Sequence, residues 1–545
     1  MGDNTKRYIA VHLGATGGKV VLASVAAGKV TTETVHSFPI PSVNIDGYSL
    51  WDIYAAYAEV LKGLSAVGSR KLPVESVGID AWGPGIVCVA KDGSFLGLPR
   101  VMDDVLSESV QARFFKRLER RELYEISGVN VLDSHAALQL FSMYREKRIA
   151  LDDAKYLLFI PEAVAFLLTG KRFTEFTSLS GAGLVDRRKH KVSRDVLSAC
   201  KVRPKRFPSV VQPGTKVAKL SEEVAQATGL GRVQVLAVAG HDVASASVAV
   251  PYGISTVSDT LAVHFDSPSS PSHRTDGFGA EGAAFLILDD VSVMGVETAS
   301  PIVNDQTFEM NFSNEAGPGG VNLLVKRIAG VDLLERCVAS WRAAGRAYGP
   351  EDLARMAREG AGINAQLDPE DPTLLSAVPP VSIPGSVSPS SVTPGVFTDS
   401  SVSAAIKRYC SLRSMAVPAD DAALVRLIYT SLAEKIGDTF IKLQSVTPFR
   451  IKALHIVGSG TPFTGTNSGL APGLFLTDEG TVDPVLCQLV ADECSVPVTA
   501  GPADAAVLGN ILVQAGGVQT GSGRSALTRA ALDALSIATY TPGLN

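Results

Sequence analysis

Apolar and polar positions along this chain switch repeatedly between a strand rhythm and a helix rhythm. Residues 8–25, YIAVHLGATGGKVVLASV, place runs of Val, Leu, Ile and Ala on either side of Gly14, Gly17 and Gly18. That pattern predicts strand, glycine turn, strand. Residues 74–97 predict a further hairpin, with Asp92-Gly93 as its turn signal. From about Ser107 to Thr169 the apolar period lengthens: Leu118, Leu123, Tyr124 and Ile126, then Leu138, Leu140, Phe141 and Tyr144, recur at helical spacing. The strand rhythm returns at residues 232–250, a buried strand that runs into Gly240-His241-Asp242 and a helix of small residues. A hairpin-like stretch follows at 253–266. Residues 421–443 predict a long helix with an apolar stripe at Leu424, Leu427, Ile428, Leu432, Ile436 and Phe440. Residues 453–460 predict another buried strand that ends in glycines and leads to a second helix.

The order is hairpin sheet, helices, hairpin sheet, helices. It predicts an α/β chain of two duplicated halves, 1–245 and 246–545, with a cleft between them. Two stretches, 376–395 and 461–480, are rich in Pro, Ser, Thr and Gly and are expected to be loops.

Composition narrows the class. A chain of 545 residues, 46% hydrophobic and 19% charged, has the make-up of a folded protein of several domains. A formal net charge of −5 is not the electrostatic footprint of a nucleic-acid binder or of a polybasic membrane anchor. The expected partner is a small molecule. The six cysteines are scattered, with no CxxC pair, so neither a zinc site nor a disulfide scaffold is expected. Buried free thiols in a reducing, cytoplasmic setting are the expectation. The apolar stretch from Tyr156 to Leu168 is interrupted by Pro161 and Glu162 and is too short to span a bilayer.

Four glycine-rich turns could offer backbone N–H groups to a phosphate: Gly14–Gly18, Ser258–Thr260, Gly458-Ser459-Gly460, and the helix entry at 501–510. Each taken alone is more often an ordinary turn, with Gly458-Ser459-Gly460 the more suggestive of a nucleotide edge. Asp242, at the end of a buried strand, has two readings: a helix N-cap, or a general base that accepts a hydroxyl proton. His241 reads as a hydrogen-bonded structural residue.

The pieces IAVHLGATGGKV (9–20), YSLWDI (48–53), VGIDAWG (77–83), LFIPEAVAFLLTG (158–170), VAGHDVASA (238–246), FSNEAG (312–317), LHIVGSG (454–460) and AGPADAAVLGN (500–510) occur in an order that resembles the FGGY family of carbohydrate kinases, most of all its rhamnulokinases. The resemblance runs from about Tyr8 to about Gln514. It implies two actin-like, ribonuclease-H-like lobes with ATP and sugar in the interlobe cleft. It also implies phosphorylation of a ketose, L-rhamnulose, at its primary hydroxyl, with ATP and Mg²⁺ required. Asp242 falls on the family's catalytic base. Gly14, Thr16, Lys19, Ser258, Thr260, Gly458, Gly460 and Gly501 fall on nucleotide-contacting segments, and Trp82, Gly83 and Asp103, with Asp242, on sugar-contacting ones. No metal ligand is assigned beyond Asp242 as a candidate.

Against that pattern, His12 stands where the family carries an aspartate and Lys19 where it carries an arginine. The second phosphate turn reads Ser258-Asp259-Thr260 in place of Ser-Gly-Thr. On the sugar side, Gly85 stands in place of an aspartate, and Val101-Met102-Asp103 replaces Tyr-Arg-Asp. Two expectations therefore stand side by side: an ATP-dependent sugar kinase with an adapted phosphate site, or a catalytically impaired homologue that binds ligands or partners.

Overall fold

The computed structural model describes residues 5–543 apart from 15–16, 46–47, 84, 102–105, 132–134, 253–281, 290–291, 372–373, 375–401, 459–474, 476–481, 517–525, 534 and 536. The expected hairpin at 253–266, the loop at 376–395 and nearly all of 461–480 lie outside the described residues.

The first lobe is built on strands β1 (Lys6–Leu13), β2 (Gly17–Ala26) and β3 (Lys29–Pro39), helix α1 (Ile53–Gly68), and strand β4 (Ser76–Ala81). Helices α2 (Ile160–Thr169) and α3 (Phe176–Gly181), strands β5 (Thr215–Lys219) and β6 (Gln234–Ala237), and helix α4 (Asp242–Val248) complete its frame. The sheet order is β5-β6-β4-β1-β2-β3. Strand β4 runs parallel to both β1 and β6. Because both faces of this sheet are covered, its central strands are apolar throughout: Ile9, Val11, Leu13, Val77 and Val235 are fully enclosed. Helix α1 starts where Asp52 accepts the amide of Ala55, and it lays Ile53, Ala56, Val60 and Leu64 on the sheet.

The second lobe contains β7 (Ala283–Leu288), β8 (Ser292–Thr298), β9 (Ser313–Ala316), β10 (Asn322–Ile328), helix α5 (Asp421–Val446), β11 (Ala453–Gly458), helix α6 (Pro484–Cys494), β12 (Val498–Ala500), helix α7 (Ala505–Gln514) and β13 (Ala538–Tyr540). Its sheet order is β9-β10-β8-β7-β11-β12-β13. The predicted stripe on α5 is buried at every position named above.

One expectation fails. Residues 74–97 do not form a single hairpin. Strand β4 inserts into the main sheet beside β1, while Ile86–Val89 pairs antiparallel with Tyr156–Phe159 in a separate two-stranded sheet. The Asp92-Gly93 turn does form, with Val89 bridging Phe95. Between β1 and β6 both edges of β4 are hydrogen-bonded while α2 and α7 pack on the strand, cover that a lone two-stranded hairpin lacks.

The lobes are joined by crossing helices. Helix α4 packs against α7, and α7 also packs on β1 and β4 of the first lobe. A Cβ on Gly509 would overlap the carbonyl of Ser245, so the two backbones meet at a point only glycine allows. There Ser245 Oγ donates to the carbonyl of Ala506 at 2.8 Å. All six cysteines are buried and free, as expected. Among the described residues, no helix is long and apolar enough to cross a membrane.

Candidate functional site

The three parallel strands β1, β4 and β6 end at one edge of the first sheet, and their exits carry the residues singled out by sequence. In open α/β sheets, ligands gather at such carboxyl ends. Register pairs His12 with Asp80 and Leu13 with Ala81, and an isolated bridge joins Ala81 to His241. Ala81 N donates to Gly240 O, and Trp82 N donates to Leu13 O. Thus the first turn, the Trp82-Gly83 pair and Asp242 are brought together by backbone bonds alone. Gly14 closes its turn through an N–H donated to Gly17 O. Gly83 adopts the left-handed conformation at φ +63°, and Trp82 stacks on Trp51.

Asp242 is the first residue of α4, and the cap belongs to the residue before it: His241 Nδ1 accepts the amide of Val243. Asp242 Oδ1 accepts the same amide at 2.7 Å. Burial pushes the Asp242 carboxyl up from its ordinary value, against the pull of His241 and His12. The arrangement leaves a buried carboxylate at the start of α4, next to the ends of β1 and β4.

His12 is fully enclosed, and its Nδ1 lies 2.6 Å from Asp80 Oδ2. Burial opposes protonation of the ring. The Asp80 carboxylate, with a smaller contribution from Asp242, overrides that opposition and holds the imidazole above its ordinary pKa. Asp80 Oδ1 accepts from Asn510 Nδ2 at 2.6 Å, Gln514 Nε2 donates to Asn510 Oδ1, and Ser76 Oγ donates to Gln514. A buried polar chain therefore runs from the first turn into α7. Lys19, enclosed in β2, donates to Asp504 Oδ1 at 2.7 Å, just before α7 begins. Gly458 and Gly501 meet through two backbone bonds, Gly458 N to Pro502 O and Gly501 N to Ile456 O. Thr16, Asp103, Ser258, Asp259, Thr260 and Gly460 lie outside the described residues.

Magnesium prefers oxygen ligands in octahedral array. Here both Asp80 oxygens are engaged, by His12 and by Asn510, and His12 offers only nitrogen. No group of three or more His, Cys, Asp and Glu among the described residues could hold a metal. The described side chains do not fit a protein-held magnesium site.

Sequence reasoning missed the support beneath the Gly240-His241-Asp242 loop. Glu175 accepts the amides of Thr177, Ser178 and Gly240, while Glu162 Oε1 accepts the amide of Glu175. Both carboxyls are buried. Burial and then the like charge of Glu175 push Glu162 up to about 8, and burial raises Glu175 as well. The signal was present: Glu162 is a lone acid in the apolar run IPEAVAFLL. Also missed was His135. It packs on Gly183, as His241 packs on Gly181, because neither glycine has a side chain to keep the rings away.

Strand β9 seals the lobes. Asn314 N donates to Gly128 O, and Ala316 N donates to Ser180 Oγ. Successive side chains of a strand face opposite sides. Ser313 and Glu315 line a small cavity of about 40 Å³ beside His241, while Asn314 and Ala316 line a larger one of about 410 Å³ with Ser180 and Arg187.

Known proteins agree with this architecture. The family model described as the N-terminal domain of the FGGY family of carbohydrate kinases matches residues 7–249. A rhamnulokinase of Bacteroides thetaiotaomicron is 30% identical over 537 residues, covering 98% of this chain and 96% of its own. A rhamnulokinase of Enterococcus faecalis is 27% identical, covering 93% of this chain and 89% of its own. Among solved structures, a ligand-bound xylulose kinase from Lactobacillus acidophilus superposes with a TM-score of 0.68 at 15% identity, covering 99% of this chain and 94% of its own. Plasmodium falciparum glycerol kinase with ADP gives 0.66 at 10% identity over the same shares. The structural neighbours share the two-lobed actin-like fold, and the sequence relatives carry the assignment further: this chain belongs to the FGGY family of carbohydrate kinases, on its rhamnulokinase-like side.

Proposed function

We propose that the protein transfers the γ-phosphoryl group of ATP to the primary hydroxyl of a ketose of the L-rhamnulose type, with Asp242 as general base. The observation that carries the reading is the placement of Asp242. It is buried at the meeting point of the first glycine turn, the Trp82-Gly83 pair and the crossing helices. Asp242 takes the hydroxyl proton as the sugar oxygen attacks the γ-phosphorus, and ADP leaves with the electron pair of the broken P–O bond. Gly14, Gly458 and Gly501 are the candidates to face the nucleotide, and catalysis is mainly positioning. A divalent cation enters with the nucleotide's phosphates, and no step is assigned to protein ligands for it.

A second reading has its own support. His12 is tied to Asp80 and Lys19 to Asp504, so two groups of the phosphate side are already neutralised by protein partners. A homologue that binds nucleotide or sugar without turnover would show these same pairs.

The test is ADP release with MgATP across a panel of ketoses, with Asp242→Asn as control. The kinase reading expects sugar-dependent ADP release that falls about 10²- to 10⁴-fold in the variant, with nucleotide-induced thermal stabilisation retained. Sugar binding with no ADP release from the unaltered protein would turn the assignment to the second reading.

A further inference from the structure

The small cavity beside His241 is bordered by polar groups from both lobes, two of which lack a partner among the described residues. His135 Nε2 lies 3.1 Å from Gly181 O, so that nitrogen carries the proton and Nδ1 presents a lone pair. His135 is 3% exposed, and its Nδ1 is buried with no hydrogen-bond partner. From the other lobe, Arg327 on β10 and Glu315 on β9 reach the same cavity. Among the described residues the Arg327 guanidinium donates to no partner, and Glu315 Oε2 stands 3.9 Å from His241 Nε2. A buried acceptor, a donor fork and a carboxylate thus surround one void, and buried polar groups left unpaired are costly.

The charges choose the ligand. Burial, with Arg327 and His241 adding to it, pushes His135 down to about 3, so its ring is neutral. Arg327 and Glu315 bring opposite formal charges to the same cavity. A carboxylate or phosphate would meet Glu315, and an ammonium would meet Arg327. A neutral hydroxyl satisfies both, donating to His135 Nδ1 or Glu315 while accepting from Arg327. The volume, about 40 Å³, exceeds the roughly 10–15 Å³ that one water needs. It therefore has room for more than a single water and stays small enough for one end of a sugar. The His241 ring spans the gap to the reacting centre, with Nδ1 3.3 Å from Asp242 Oδ1 and Nε2 toward Glu315.

We propose that the interlobe cavity bounded by His135, Glu315 and Arg327 receives the hydroxyl groups at the end of the acceptor sugar remote from the phosphorylated carbon, and so sets which sugar is used. This rests on the kinase reading for the orientation of the sugar, and deepens it. The cavity draws His135 from the first lobe and the other two from the second, so sugar bound there also favours the closed arrangement of the lobes.

The experiment is isothermal titration of the full chain with ketopentoses, ketohexoses and their 4- and 5-deoxy analogues, repeated on His135→Leu, Arg327→Met and His135→Gln. Nucleotide-induced thermal stabilisation serves as the folding control. Removing the distal hydroxyl should weaken binding to the unaltered protein about 10- to 100-fold. In His135→Leu and Arg327→Met the same deletion should cost less than about threefold, and His135→Gln, which keeps an acceptor, should recover part of the discrimination. Equal losses in the unaltered protein and both variants would overturn the recognition site, and the kinase reading would survive if ADP release persists. Discrimination as expected without ADP release would uphold the site and defeat the kinase reading. No binding of any ketose would defeat both.

Discussion

Replacing His12 by aspartate installs the residue that the resemblance to the family implies at this position, and the structure predicts what that costs. The imidazole Nδ1 sits 2.6 Å from Asp80 Oδ2 in a site where His12 is 1% and Asp80 0% exposed. An aspartate there sets two carboxylates about 3 Å apart. If both stay ionised, their repulsion at an effective dielectric constant of 20 is about 5 kcal/mol. The pair escapes part of that by keeping one proton. Holding an aspartate of ordinary pKa protonated at pH 7 costs about 4 kcal/mol, and this becomes the ceiling. The sign follows: the variant's folded state binds a proton that its unfolded state releases, so its stability falls as pH rises, by up to about 1.4 kcal/mol per pH unit between roughly pH 4 and 7. Native His12 has the same sign, but its loss begins only above the ordinary histidine value. Its raised pKa contributes stability that is present below the unfolded value and is lost as pH rises through the folded one. Urea unfolding of both proteins from pH 4.5 to 8, in EDTA and in 10 mM Mg²⁺, measures this directly. The variant should come within about 1 kcal/mol of the native chain near pH 4.5, lie several kcal/mol below it at pH 7 in EDTA, and recover part of the gap with Mg²⁺. A pH-independent difference below about 0.5 kcal/mol in EDTA would show that no His12–Asp80 charge pair exists in solution.

Three further outcomes are expected. Glu162→Gln should match the native chain near pH 5 and exceed it above pH 8 by up to about 5 kcal/mol in urea unfolding, because native Glu162 titrates near 8 and loses stability between its unfolded and folded pKa values; parallel stability curves would count against a proton held there. Gly509→Ala should cost about 1–3 kcal/mol or more and lower the thermal midpoint, since the added methyl meets the backbone carbonyl of Ser245 rather than a movable side chain; a midpoint shift under 1 °C would argue against the helix crossing. Asp504→Asn should destabilise more than Lys19→Met, by about 1–2 kcal/mol in chemical unfolding, because the first strands a fully buried ammonium and the second removes it; equal effects would place Lys19 in contact with water.

Much of the molecule was legible in the linear pattern because its causes are local. The β1–β2 hairpin follows from two apolar runs about a glycine turn, and α5 from a helical stripe that is buried as read. Asp242 was identifiable because a buried strand ends just before it. Residues 74–97 misled because a strand's sequence states that it will be buried, not which neighbour will bury it. Only assembly of the sheet decides between a nearby hairpin partner and β1, more than sixty residues earlier.

The site divides along the same line. By itself, the sequence determined the backbone elements that carry it: the glycine turns, the strand ends and the position of Asp242, all set by side-chain size, backbone freedom and short-range periodicity. Tertiary structure alone decided the partnerships. His12 faces Asp80 across sixty-eight residues, Lys19 reaches Asp504 across almost the whole chain, and the Glu162 carboxyl is pushed up by a depth of burial and a like-charged neighbour, Glu175, that no local pattern encodes. Charge and hydrogen-bonding character belong to the residue, but their energies depend on distance and on exclusion of water. Those two quantities exist only once the lobes have closed on each other.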